Sequence, residues 1–230
     1  MPPSVVFILY GVLTNTSIGG LFLAGVIPGF MLGVAIMGLC LFIAYRDNLP
    51  KGEPVPLKAV PKIVLDAFWG LVTMAIILGG ILNGVFTATE AASIASIYAF
   101  LVTMFIYRDY KWRDLPKLVH RTVKTVTIVM ILIGFAAAFG YIMTLMQLPQ
   151  QITTMFSTLS TDRYVLLMCM NIMMLILGTM MDMAPLILIL TPILLPVVKS
   201  IGVDPVHFGM IMMVNLGIGL ITPPVGAVLF

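Results

Sequence analysis

Charged side chains are what this chain most lacks. Asp, Glu, Lys and Arg make up 9% of its 230 residues, against about 25% in a water-soluble domain. So little charge cannot cover a surface in water, which excludes a soluble enzyme or a soluble binding module. Cysteine and histidine are scarce too, with two of each. Cys40 and Cys169 offer no disulfide framework; both lie inside apolar runs and are expected to be buried structural thiols. His120 sits beside Arg121 in a basic loop and His207 follows Pro205, so no His, Cys and Asp come together at metal-ligand spacing. No zinc or catalytic metal site is expected. A glycine-rich phosphate loop is missing, which argues against ATP driving this chain directly. No basic segment precedes the first apolar residues, so no cleavable signal peptide is expected. The net charge is only +3, and the basic residues cluster in loops between apolar stretches, which does not point to nucleic acid.

What fills the chain instead is apolar. Hydrophobic residues make up 61% of it and the mean hydropathy is +1.15. That composition predicts an all-α polytopic membrane protein in a lipid bilayer. Residues 28–45, 69–86, 90–107 and 125–148 are each long enough for a span, since about 20 residues cross the hydrocarbon core. Residues 5–14 are too short to span, and 18–26 are interrupted by Gly19, Gly20 and Gly25. Residues 57–68 are expected partly in the interface, and 150–161 form an uncharged connection or a short interfacial helix. The loops 46–62 and 108–124 carry four and six Lys/Arg residues. By the basic-loop rule both are cytoplasmic, which puts 87–89 and 149–162 on the outer side.

Toward the C-terminus the pattern changes. Two short breaks, 178–182 (Gly-Thr-Met-Met-Asp) and 221–226 (Ile-Thr-Pro-Pro-Val-Gly), separate apolar arms that each cover only part of the bilayer. Lipid tolerates unpaired backbone only where protein buries it or a cavity solvates it. Two such breaks close in sequence predict a binding site near the midplane, as in secondary transporters. The 164–198 stretch fits a re-entrant hairpin entering from the outer side, with its tip at Gly178.

At the first break, tip carbonyls with the Thr179 hydroxyl could hold Na⁺, and the start of the second arm could attract an anion. Asp182 is an ionisable residue in an apolar stretch, hence a functional candidate. It also fits as the N-cap of the arm that runs into Pro185. The two roles are compatible. At the second break, Pro223 and Pro224 lack N–H donors and end the ladder, freeing carbonyls around Gly217, Gly219 and Thr222. A plain proline kink is the simpler account of the same residues. Asn215 could ligate an ion or bond a neighbouring helix. The ion-site candidates are therefore Gly178, Thr179, Met181, Asp182, Asn215, Gly219, Thr222, Pro223 and Val225. The many methionines at 168–183 and 210–213 read as adaptable packing rather than ligands.

Three further patterns are structural. Pro2-Pro3-Ser4 ahead of an apolar run parallels Pro223-Pro224 with Gly226, as duplicated broken elements do in inverted-repeat transporters. Thr87 and Glu90 have capping-box spacing. Gly79, Gly80 and Gly84 before them permit close helix packing.

The run Gly84-Val85-Phe86-Thr87-Ala88-Thr89-Glu90-Ala91-Ala92 resembles an element of the large membrane subunit of TRAP (tripartite ATP-independent periplasmic) transporters. So do Gly178 through Asp182 with Pro185, Pro192 and Pro196, the run from Gly202 to Gly209, and Thr222-Pro223-Pro224-Val225-Gly226. Pro2-Pro3-Ser4 with Tyr10-Gly11, Ala24-Gly25 and Pro28-Gly29 resembles the matching element of the family's first half. The resemblance runs along the whole chain in the family's order. It implies a Na⁺-driven elevator-type importer of organic acids in a bacterial inner membrane. Its partners would be a small membrane subunit and a periplasmic substrate-binding protein, with Na⁺ as coupling ion and no cofactor. It also implies a Na⁺ site between a hairpin tip and a Pro-Pro loop, here 178–182 with 222–225. The family's first-half hairpin is missing, so both ends are expected to be cuts through a longer protein. Residues 1–45 would close the first repeat, 46–62 form a cytoplasmic loop, and 63–230 supply most of the second repeat. Two other functions stand beside transport: a truncated assembly partner that does not transport, and an intramembrane enzyme. The latter lacks any nucleophile–base or metal constellation.

Overall fold

The computed structural model describes residues 3–49, 56, 59–159 and 162–223. Pro2, Pro224, Val225 and Gly226 lie outside the described residues. Among those described there is no strand. The helices are α1 (Val5–Thr14), α2 (Ile18–Ala24), α3 (Val26–Arg46), α4 (Val60–Leu82), α5 (Ala88–Leu101), α6 (Leu115–Leu145), α7 (Leu148–Leu159), α8 (Arg163–Gly178), α9 (Met183–Ser200) and α10 (Pro205–Leu220). A π-helix, Val102–Tyr107, extends α5. Among the described residues, five helical stretches are long and apolar enough to cross a membrane: 18–46, 60–82, 88–107, 112–145 and 183–200, so the arm after the first break, expected to cover only part of the bilayer, has the length of a span. The chain is an all-α polytopic membrane protein.

Two starts fall earlier than composition suggests. α4 begins at Val60, with Pro61 in its first turn, where proline has no hydrogen bond to lose. α6 begins at Leu115, so Lys117, His120, Arg121 and Lys124 are helical and the true loop is shorter than 108–124. At 1.5 Å per residue, α6 is about 46 Å long against a core of roughly 30 Å. Its basic end therefore has length to spare outside the hydrocarbon.

Residues 25–114 form one compact unit. Within it α4 packs on α5. Tyr98 donates to the Trp69 carbonyl at 3.2 Å and Tyr107 donates to the Asp66 carbonyl. α5 opens on a complete capping box, as its spacing predicts. The Thr87 N–H donates to Glu90 Oε2 at 2.8 Å, and the Glu90 N–H donates to Thr87 Oγ1 at 3.3 Å. Thr87 and Glu90 thus have a sufficient structural role.

Ser4–Ala24 and Leu115 onward form the second unit. Here α1 packs on α9, α2 on α10, α7 on α9, and α8 chiefly on α10. The core is made by Tyr10, Phe22, Leu21, Met170, Met174, Ile187, Leu194, Phe208 and Met212, all at 1% exposure or less. Ser4 precedes α1 in extended backbone and makes no capping bond. The Tyr10 hydroxyl donates to the Pro205 carbonyl at 2.6 Å, and its ring lies over Gly209. α1 is thereby bonded to the start of α10.

Cys40 and Cys169 are exposed, not buried. A thiol in an apolar membrane run escapes water by facing lipid, so it needs no protein around it. The same reasoning covers α3, which buries none of its residues.

Candidate functional site

α8 ends where its N–H groups turn back. Thr179 donates to Leu175 and Ile176 carbonyls, and both Met180 and Met181 donate to the Leu177 carbonyl at 3.1 Å. Asp182 then adopts extended backbone, and its Oδ1 accepts from the Met183 N–H at 2.7 Å. This caps α9 and satisfies one of its orphan donors. The result is a tip of four residues, 179–182, between two helices. No hydrogen bond among the described residues ends on the carbonyls of Thr179, Met180 or Met181. The side chains of Met181 and Asp182 are exposed.

α10 ends in the same way. Ile221 donates to the Ile218 carbonyl at 3.3 Å and Thr222 to the Gly219 carbonyl at 3.0 Å, after which Pro223 has no N–H to offer. Both threonines spend their hydroxyl proton on the helix behind them. Thr179 Oγ1 donates to the Ile176 carbonyl at 2.8 Å and Thr222 Oγ1 to the Ile218 carbonyl at 2.7 Å. A hydroxyl that has donated its one proton retains only lone pairs for other partners. Such an oxygen suits a cation better than an anion.

The two breaks meet because of two glycines. Gly178 and Gly219 are buried and their backbones touch: a Cβ built on Gly219 would lie 2.8 Å from both Cα and C of Gly178. One residue past Gly178 is Thr179, and three past Gly219 is Thr222. Farther down the same pair of helices, Asn215 Nδ2 donates to the Asn171 carbonyl at 2.9 Å and to Asn171 Oδ1 at 3.0 Å. Both contacts advance together along the chain, so α8 and α10 run parallel and their C-termini converge. A helix C-terminus carries about half a negative charge on unpaired carbonyls. Two of them in contact repel each other and attract a cation.

The structure thus brings together Gly178, Thr179, Met181 and Asp182 with Gly219, Thr222 and Pro223. It assigns the Asn215 amide nitrogen to a neighbouring helix. Asn171 was not singled out from the sequence. The signal was available, since it is a lone amide in the apolar run 164–178, and polar residues at membrane depth seek partners. Nor was Tyr10 marked as a tie between α1 and α10. No group of three or more His, Cys, Asp or Glu residues among the described residues could hold a metal ion. The oxygens here are hydroxyls, carbonyls and one carboxylate. They suit a hard monovalent or divalent cation and not a thiophilic one.

The profile of the family described as "Tripartite ATP-independent periplasmic transporter, DctM component" matches residues 1–230. The C4-dicarboxylate TRAP transporter large permease protein DctM of Pseudomonas aeruginosa is 42% identical over 230 residues, covering 100% of this chain and 54% of that protein. The sialic acid TRAP transporter large permease protein SiaM of Vibrio cholerae is 39% identical over 230 residues, with the same two coverages, 100% and 54%. The 2,3-diketo-L-gulonate TRAP transporter large permease protein YiaN of Escherichia coli is 37% identical over 229 residues, again with 100% of this chain and 54% of the relative covered. The chain therefore spans about half the length of the curated relatives it matches. These relatives are transporter permease subunits and not enzymes. Matched along its whole length by the family profile, and carrying the paired helix breaks described above, the chain belongs to the DctM family of TRAP transporter large permease components.

Proposed function

We propose that this chain supplies one cation site of a Na⁺-coupled permease that imports small organic acids across a bacterial inner membrane. The substrate class is a dicarboxylate, sialic acid or sugar acid, by analogy with the substrates in the relatives' names. A small membrane subunit and a periplasmic substrate-binding protein complete the assembly. The observation that carries this reading is the backbone contact of Gly178 with Gly219, which holds two unwound segments together at two converging helix C-termini.

In this reading Na⁺ binds the remaining lone pairs of Thr179 and Thr222 with carbonyls of the tip. The ion offsets the repulsion between the two helix ends and draws the tip against the α10 break. The N-terminus of α9 then faces the anion, and the transport domain moves with both bound against a stationary scaffold. Na⁺ drives this movement only to the extent that it binds one state more tightly than the other.

The test is uptake by proteoliposomes containing the whole permease with its membrane partner and a loaded binding protein. C4-dicarboxylate, sialic acid and sugar acid are offered separately, with and without a Na⁺ gradient. Uptake of one class that requires the gradient, and that loses Na⁺ dependence in Thr222→Ala, is the expected result. Equal uptake with and without Na⁺ rejects the reading.

A further inference from the structure

The hold of α8 on the rest of its unit is one-sided. Tyr164, Val165, Met168, Ile172 and Ile176 are all exposed on it, between 48% and 72%, and its contacts go chiefly to α10. Apolar packing between helices gains little in lipid, because the tails are as apolar as the side chains. Such packing, with the close Gly178–Gly219 contact, sets axial register less sharply than a directional hydrogen bond does. Among the described residues, the side-chain hydrogen bonds that join α8 to another helix are those between Asn171 and Asn215. Asn171 lies seven residues before Gly178, about two turns away. A slip of α8 along α10 at this pair would carry the tip off the α10 break.

The pair also has a polarity. Asn215 is the donor, through Nδ2, to the Asn171 backbone carbonyl, which any residue at 171 supplies, and to the side-chain Oδ1, which Asn171 itself adds. Its own Oδ1 is buried and has no hydrogen-bond partner among the described residues. Flipping that amide would leave one orphaned atom in place of another and set oxygen against oxygen. A buried unpaired acceptor is costly, so its retention needs a compensating role, which the cross-link to α8 supplies.

We infer that Asn171 is a positioning residue for the cation site: bonded to Asn215, it fixes the register of α8 on α10 and so holds the 179–182 tip at the Thr222 break. This rests on the cation-site reading proposed above. In this reading Asn171 acts through the position of the tip and supplies no ligand of its own.

The test uses the complete transport complex in proteoliposomes and titrates Na⁺ at saturating organic acid. Asn171→Ala should raise the Na⁺ concentration for half-maximal uptake about three- to tenfold, the range of one interhelical hydrogen bond. The substrate KM and the maximal rate at saturating Na⁺ should stay within about twofold of the parent. Asn171→Asp retains an acceptor at Oδ1 at the cost of an ionisable group at membrane depth, and should be impaired less than Asn171→Ala. Asn215→Asp removes the donor and should be at least as impaired as Asn171→Ala. This asymmetry distinguishes a directional bond from bulk packing. Aspartate variants that behave alike, or an Asn171→Ala variant that loses maximal rate while its Na⁺ titration is unmoved, would overturn the inference. A parent whose uptake ignores Na⁺ defeats the cation-site reading itself, which is a different result.

Discussion

Gly219 and Gly178 meet backbone to backbone: a methyl group on Gly219 would stand 2.8 Å from the Gly178 carbonyl carbon and 3.2 Å from its oxygen. Neither partner is the end of a flexible side chain, so neither can step aside. The first side-chain carbon of any other residue would therefore act as a wedge between the hairpin tip and the α10 break.

Gly219→Ala should accordingly separate the two breaks, at a cost of about 1–3 kcal/mol as an overpacked contact. Reduced Na⁺-driven uptake in proteoliposomes is expected, with a higher Na⁺ requirement. Gly178→Ala meets its nearest atom only at 3.3 Å and should be milder. Gly217→Ala, whose nearest neighbour is the Met183 methyl at 3.8 Å, is the control and should transport normally. Equal loss in all three would show that helix propensity, not the contact, is being measured.

Asp182 can be divided into its two roles by chemistry. Asparagine caps a helix about as well as aspartate but carries no charge. Asp182→Asn should therefore keep the thermal stability of the purified complex and raise the Na⁺ concentration needed for uptake. Asp182→Ala should do both: lose about 1 kcal/mol of stability and weaken Na⁺ coupling. An Asp182→Asn variant with parental Na⁺ titration would confine Asp182 to capping.

The Tyr10 hydroxyl makes one buried-end bond, to the Pro205 carbonyl. Removing it in Tyr10→Phe should cost about 0.5–1.5 kcal/mol, since the carbonyl loses its partner while the ring still packs. Gly209→Ala should cost more, because its Cβ would sit 2.5 Å from Tyr10 Cε1. In the double variant Tyr10→Ala/Gly209→Ala the clash with the ring disappears, leaving the end of the Leu21 side chain at 3.1 Å. Its destabilisation should then be less than the sum of the single ones, read from thermal melts of the solubilised protein.

Glu90 is occupied by its capping box, accepting from both the Thr87 N–H and the Thr87 hydroxyl at 2.8 Å. Glutamine also serves that position. Glu90→Gln should leave stability and Na⁺ dependence nearly unchanged, whereas Thr87→Ala should lower stability by about 1 kcal/mol without altering Na⁺ dependence. Loss of Na⁺ coupling in Glu90→Gln would instead give Glu90 a place in ion binding.

Local chemistry made much of this legible in the chain itself. Scarce charge with long apolar runs can only be stable in lipid, so the fold class followed from composition. Pro223 removes a donor and Asp182 supplies a cap, so both helix ends could be placed from residue type alone. Thr87 and Glu90 satisfied each other at the predicted spacing because a capping box is closed within four residues. Three features required the tertiary structure, because they depend on residues far apart in sequence. Gly178 and Gly219 could each be marked as break residues from the sequence, but they become a contact only when α8 and α10 lie parallel. Asn171 finds its partner 44 residues away, and Tyr10 finds Pro205 across 195. The exposed thiols show the same limit from the other side: an apolar run states that a residue avoids water, and only packing decides whether protein or lipid surrounds it.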